Sequence, residues 1–143
     1  MNNNLNIAIS EIMSTSLKTL HPKDKIQSAK DLFDEFDIHH IPVAVMGEVR
    51  GIISQGDLLF LEGVASHSFD KFLRKKKYEM STVDEIMTAN PYCIELETKV
   101  SEVMDIMIEN RINCLLIKKN NELVGMITNF DLIKYFRTKI NTN

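Results

Sequence analysis

Gly51-Ile52-Ile53-Ser54-Gln55-Gly56-Asp57-Leu58 decides how this chain folds, because it returns 74 residues later as Gly125-Met126-Ile127-Thr128-Asn129-Phe130-Asp131-Leu132. Glycine, an apolar pair, a hydroxyl residue, aspartate and leucine keep one spacing in both copies. The register extends outward without a gap. Glu11-Ile12-Met13-Ser14 lies over Glu85-Ile86-Met87-Thr88, Asp31 over Asp105, Glu35 over Glu109 and Ile38 over Ile112. Self-similarity at a fixed period marks a duplicated structural unit.

Each copy reads alike. Apolar stretches at 17–20 and 92–96 precede Asp24 and Thr98, which are expected to cap a helix. The helix carries Ile26, Ala29, Phe33 and Phe36 on one face in the first copy, and Val100, Val103, Ile106 and Met107 in the second. Two strands follow, at 41–45 and 49–53 around Met46-Gly47-Glu48, and at 115–118 and 123–127 around Asn120-Asn121. A last helix opens after Ser54 or Thr128. The order is β-α-β-β-α twice, an α/β fold, with repeats at 9–61 and 83–136. Residues 62–82 form a polar linker or helical insert, in which Phe69, Phe72 and Leu73 predict a short helix resting on the body. Its Arg74-Lys75-Lys76-Lys77 run reads first as a solvated helix face, with an anion or partner site as the alternative.

Composition excludes several classes. The chain has 143 residues, 17 basic against 20 acidic, a formal charge of -3, and 44% hydrophobic residues. That balance describes a globular chain and argues against nucleic acid as the main partner. Cys93 and Cys114 lie too far apart for a zinc knuckle or a disulfide framework. Apolar runs such as 58–61 and 114–117 are far shorter than the ~20 residues of a membrane span. The first residues show no basic region followed by an apolar stretch, so the expected compartment is the cytoplasm. His21, His39, His40 and His67 form no HExxH pattern, and neither a phosphate-binding GxxxxGK loop nor a GxSxG elbow is present. No enzyme is expected, and no catalytic or metal-ligating residues.

The repeated Ser/Thr-x-x-Asp supports two readings. One is a helix start, the hydroxyl capping backbone amides and the acid sitting at the positive end of the dipole. The other is a nucleotide cradle: free amides attract phosphate, a carboxylate accepts from the hydroxyls of a ribose, and Gly51 and Gly125 permit close backbone approach.

With Ile12-Met13-Ser14, Ile86-Met87-Thr88, His39-His40-Ile41-Pro42-Val43 and the two Gly-x-x-Ser/Thr-x-x-Asp segments, the chain resembles the tandem cystathionine-β-synthase-type repeat, the CBS-domain pair, over about residues 9–136. The resemblance implies two β-α-β-β-α repeats packed by their sheets about a pseudo-twofold axis. It implies regulatory binding of an adenosine-containing ligand, AMP, ADP or ATP being expected, and no further cofactor. Asp57 and Asp131 resemble the family's ribose-binding acids, and Ser54 and Thr128 the hydroxyls near ribose and phosphate. His39 and His40 fall where phosphate-contacting residues often lie. The Asp57 cleft would draw on Thr88, Tyr92, Ile112 and Cys114, and the Asp131 cleft on Ser14, Lys18, Ile38 and His40. Gly56 and Phe130 depart from the family pattern, which often has Ser or Thr before the aspartate. The second repeat also has Asn113-Cys114 in place of His39-His40, so the Asp57 cleft is expected to be the stronger. A homodimer through the last helices, 57–61 and 131–136, and a separate effector protein complete the expectation. A ligand-free interaction module and an S-adenosylmethionine sensor are the alternatives.

Overall fold

The structure, a computed structural model, describes residues 6–63 and 70–140. Within it the chain forms two compact units. One is Lys18–Pro91; the other joins the chain before Lys18 to the chain from Tyr92 onward. Each unit is therefore one repeat completed by a lead segment from the other.

In the unit of Lys18–Pro91, α1 (Ile26–Glu35) is followed by the hairpin β1 (His40–Val45) and β2 (Glu48–Ser54), then by α2 (Gln55–Gly63), α3 (Asp70–Met80) and β3 (Thr88–Ala89). The sheet runs β1-β2-β3 with antiparallel pairing, Ile41 opposite Ile53 and Ile52 opposite Thr88. The hairpin closes through Met46 and Gly47, both at positive φ, the backbone that a tight two-residue turn requires. The expected first strand at 17–20 is reduced to a single parallel bridge between Leu20 and Val43. Leu20, Ile26, Ala29, Phe33, Ile41, Val43, Ile53, Leu58, Tyr78 and Val83 form the core.

The second unit repeats the plan with β4 (Cys93–Glu95), α4 (Val100–Asn110), β5 (Cys114–Lys119), β6 (Glu122–Thr128) and α5 (Asn129–Ile140). Here the first strand is formed and runs parallel to β5, giving the order β4-β5-β6. Asn120 and Asn121, at φ 51° and 65°, make the tight turn. Ile9, Val100, Val103, Met107, Leu115, Ile117, Ile127 and Leu132 lie in its core.

The helix starts differ from expectation. Asp24 and Thr98 do not cap α1 and α4 through their side chains; the capping positions are Lys25 and Lys99, which make no side-chain cap bond. The Asp24 carboxylate instead accepts from His21 N at 2.8 Å. Backbone from the lead segments replaces the caps. Ile26 N donates to Ser81 O, and Val83 N donates back to Asp24 O, at 3.1 and 2.9 Å. In the other unit Val100 N donates to Ile7 O, and Ile9 N to Thr98 O, at 3.0 and 2.8 Å. Orphan amides of a helix start are thus satisfied by a reciprocal backbone clasp. Val83 and Ile9, at equivalent positions, are fully buried behind it.

The insert also differs. Helix α3 forms, but Phe72 is 70% exposed and Leu73 is exposed too, while Phe69 lies outside the described residues. Tyr78 anchors the helix: its ring is 7% exposed and its hydroxyl donates to Glu62 Oε1 at 2.7 Å. Burial first, and then that bond, hold its phenol well above its ordinary pKa.

Gly51 and Gly125 serve packing inside their own units. A Cβ at Gly51 would lie 2.5 Å from Met87 Sδ and 2.9 Å from the Thr88 carbonyl, and one at Gly125 would lie 2.5 Å from Met13 Sδ. The glycines are notches for the methionine of the lead segment. Gly51→Ala should therefore destabilise the protein by about 1–3 kcal/mol, because the Thr88 backbone must shift. Gly56→Ala meets only Ser54 Oγ at 3.5 Å and should be neutral or stabilising by about 0.5–1 kcal/mol, because glycine costs a helix about that much relative to alanine. Urea unfolding of the two variants measures both.

Candidate ligand-binding site

The helices that follow the two hairpins start in the same way. Asp57 Oδ2 accepts from Ser54 N at 2.7 Å and from Ser54 Oγ at 2.9 Å, while Ser54 Oγ accepts from Asp57 N at 3.2 Å. Asp131 Oδ2 accepts from Thr128 N and Oγ1, both at 2.9 Å, and Thr128 Oγ1 accepts from Asp131 N at 3.3 Å. This is a closed capping ring, so the helix-start reading of the motif holds in both units. It does not use up the acid. Oδ1 of each aspartate carries no hydrogen bond among the described residues, and both side chains are only half-buried.

The ring narrows the chemistry that the motif offers. The Ser54 hydroxyl proton is donated to Asp57, so it is not free for a phosphate. The Ser54 and Asp57 amides are engaged in the ring, and Gln55 N donates to His39 O at 3.0 Å. Asn129 N donates likewise to Asn113 O at 3.0 Å. The cradle of free amides that the sequence suggests is largely committed to the fold. What remains is the second carboxylate oxygen, an acceptor with charge that the ring does not use.

The expected site residues divide between the units. Lys18–Pro91 brings together Asp57, Ser54, His39, His40 and Thr88: His40 pairs with Ser54 in the hairpin, and Thr88 pairs with Ile52 on the next strand. Lys18 and Ile38 belong to this unit too, with Lys18 Nζ 4.1 Å above the Phe36 ring. The other unit holds Asp131, Thr128, Ser14, Tyr92, Ile112 and Cys114. There Cys114 pairs with Thr128, and Ser14 bridges Met126. Tyr92 donates its hydroxyl to Asn110 Oδ1 at 2.6 Å, and Ile112 packs against the core. Phe130 is 59% exposed, with Lys134 Nζ 4.5 Å over its ring. Among the described residues no group of three or more His, Cys, Asp or Glu is placed to hold a metal ion, and no helix is long and apolar enough to cross a membrane.

Cys114 reports on the Asp131 turn. Burial, then the Asp131 carboxylate, push its thiol up to about 12; burial raises Cys93 as well. The folded value exceeds the ordinary one of about 8.5, so its contribution to stability is intact below that pH and is lost as pH rises towards 12. At pH 8 only the neutral thiol is populated, and the thiolate is the nucleophile. Iodoacetamide at pH 8 should modify Cys114 in the native protein about a hundredfold or more slower than in the urea-unfolded chain, which peptide mass spectrometry measures. Equal rates would place the thiol in solvent.

Comparison with known proteins agrees with this architecture. The CBS domain profile matches residues 9–62 and 83–138. The chain is 28% identical over 131 residues to a CBS domain-containing protein of Dictyostelium discoideum, covering 90% of each. Two other relatives are longer, the chain spanning 42% and 21% of their lengths. Among solved structures, an uncharacterized conserved protein from Pyrococcus horikoshii superposes with a TM-score of 0.76 at 28% identity, with 96% of both chains covered. The CBS domain pair of protein MJ0100, solved in complex with 5′-methylthioadenosine and S-adenosyl-L-methionine, superposes with a TM-score of 0.72 at 25% identity, covering 92% of this chain and 97% of that one. Two family matches in the register of the internal repeat make this chain a member of the CBS-domain family, with its CBS domains in tandem.

Proposed function

We propose that the chain is a cytoplasmic regulatory module that binds an adenosine-containing ligand, an adenine nucleotide such as AMP, ADP or ATP, and acts on a separate effector protein. One observation carries this reading: the duplicated capping ring leaves an unbonded carboxylate oxygen at each helix start. A half-buried carboxylate with an open oxygen is suited to the two hydroxyls of a ribose, which need a charged acceptor. The Asp57 turn is the stronger of the two, because His39 and His40 stand beside it where the Asp131 turn has Asn113 and Cys114. A ligand of S-adenosylmethionine type is the second reading. It is favoured by the committed amides at the helix start, which leave less for a phosphate, and by the MJ0100 complex.

Calorimetry with AMP, ADP, ATP, S-adenosylmethionine and 5′-methylthioadenosine tests the reading. Asp57→Ala should cost about 3 kcal/mol, over a hundredfold in affinity, and Asp131→Ala much less. Asp57 also closes the ring, so unfolding midpoints are compared first; Asp57→Asn, which keeps the shape without the charge, serves as the second variant. Silence from every ligand with the wild-type protein overturns the proposal.

Association is proposed through the last helices. Leu61 and Phe136, expected at the interface, are half-buried against their own units, whereas Leu59, Phe60, Ile133 and Ile140 are exposed. Between α4 and α5 lies an apolar cleft of about 570 Å³ walled by Met104, Ile108, Leu132, Ile133 and Phe136. A second copy covering this face forms the homodimer. Charge is poorly tolerated at an interface core, so Ile133→Glu should shift the mass measured by light scattering from dimer to monomer. An unchanged mass would remove this face from consideration.

A further inference from the structure

The Arg74-Lys75-Lys76-Lys77 run has no part in the reading above. Its helix, α3, lies against α1 within the unit of Lys18–Pro91, with a cleft of about 240 Å³ between them. Helix α1 contributes Gln27, Lys30 and Asp34; α3 contributes Lys71, Arg74 and Lys75, with Tyr78 beneath. Four cations therefore face one carboxylate, in a chain whose formal charge is -3. That carboxylate is already engaged, since Lys30 Nζ donates to both oxygens of Asp34 at 2.6 and 2.5 Å. Lys76 and Lys77 belong to the same run but do not line the cleft.

Two features leave the cleft incomplete. Lys71 lies three residues from Arg74 and four from Lys75, so like charges share one helix face, an arrangement that destabilises a helix. Arg74 Nε is closed to solvent yet has no hydrogen-bond partner among the described residues. A shielded donor on a charged group is costly when it lacks an acceptor. A compact anion with several acceptor oxygens relieves the first where it stands, and the second once the Arg74 guanidinium turns its Nε towards the cleft. The guanidinium fork matches phosphate oxygens, and the ammonium groups add charge without demanding geometry. The volume is below that of a drug-sized pocket, which fits a short chain of phosphates.

We propose that the cleft between α1 and α3 binds a polyphosphate group, with Arg74 as its direct ligand and Lys71 and Lys75 neutralising its charge. This site does not depend on the adenosine reading of the Asp57 turn. Calorimetry of the intact protein with inorganic tripolyphosphate at low salt tests it. Arg74→Gln should weaken binding about tenfold or more, and Lys76→Gln by less than about twofold. Asp57→Ala should bind tripolyphosphate as the wild type does. Should Arg74→Gln fail to fold, Lys75→Gln carries the same comparison. ATP binding to Asp57→Ala as tightly as tripolyphosphate supports a nucleotide tail as the source; tripolyphosphate binding alone supports the free anion. No binding of tripolyphosphate by the wild type, equal losses for Arg74→Gln and Lys76→Gln, or loss of binding in Asp57→Ala overturns the proposal.

Discussion

A helix whose first amides have no side-chain cap must find acceptors elsewhere, and in this protein the acceptors come from the chain that leads into the opposite repeat. Ile26 and Val100 open their helices on the carbonyls of Ser81 and Ile7, and the residues two further along, Val83 and Ile9, donate back to Asp24 and Thr98. Each clasp places a fully buried aliphatic side chain in a core that would otherwise lack it. The same lead segment supplies the methionine that fills the glycine notch and the bridge or strand that extends the sheet. Backbone bonding, core filling and sheet extension are thus concentrated in about ten residues on each side, and neither repeat holds all of its own core.

The candidate sites rest on this frame in different ways. At the helix starts, one carboxylate oxygen is spent on local structure and the other is not, so in the proposed role fold and recognition share a side chain without competing for the same atom. That division fixes the aspartate's orientation before any ligand arrives, which reduces the ordering that binding must impose. The basic cleft is built otherwise. Its groups come from α1 and from α3, which Tyr78 anchors, and its charges are held close together by packing that takes no account of their repulsion.

Much of the fold was legible. The 74-residue register located both hairpins, Asn120-Asn121 announced a tight turn, and helical spacing named Ile26, Ala29, Phe33, Val100, Val103 and Met107 as core. What stayed hidden was partnership. Periodicity reports that a residue is buried but not which body buries it, so the exchange of lead segments was invisible. Asp24 and Thr98 suit a side-chain cap by residue type, yet it is their carbonyls that act, and any residue has a carbonyl. Phe72 and Leu73 looked like the anchors of the insert, yet Tyr78 is, since only it reaches Glu62 while burying its ring. At the site, the motif located both aspartates but could not say that one oxygen of each was already taken. Lys30 carried no signal at all, because its place in the basic cleft depends on how α3 lies against α1.

The division of the chain also sets an order of events during synthesis. The unit of Lys18–Pro91 is continuous, so all its parts exist once Pro91 has left the ribosome. The segment carrying Ile9 and Met13 is made before that unit, yet its own sheet and helices are encoded from Tyr92 onward. At about 5–20 residues per second, those apolar side chains wait some seconds without their partners. This segment is therefore made before the unit of Lys18–Pro91 and completes its packing after it, and it is during translation, more than in the finished protein, that Ile9 and Met13 are open to wrong partners.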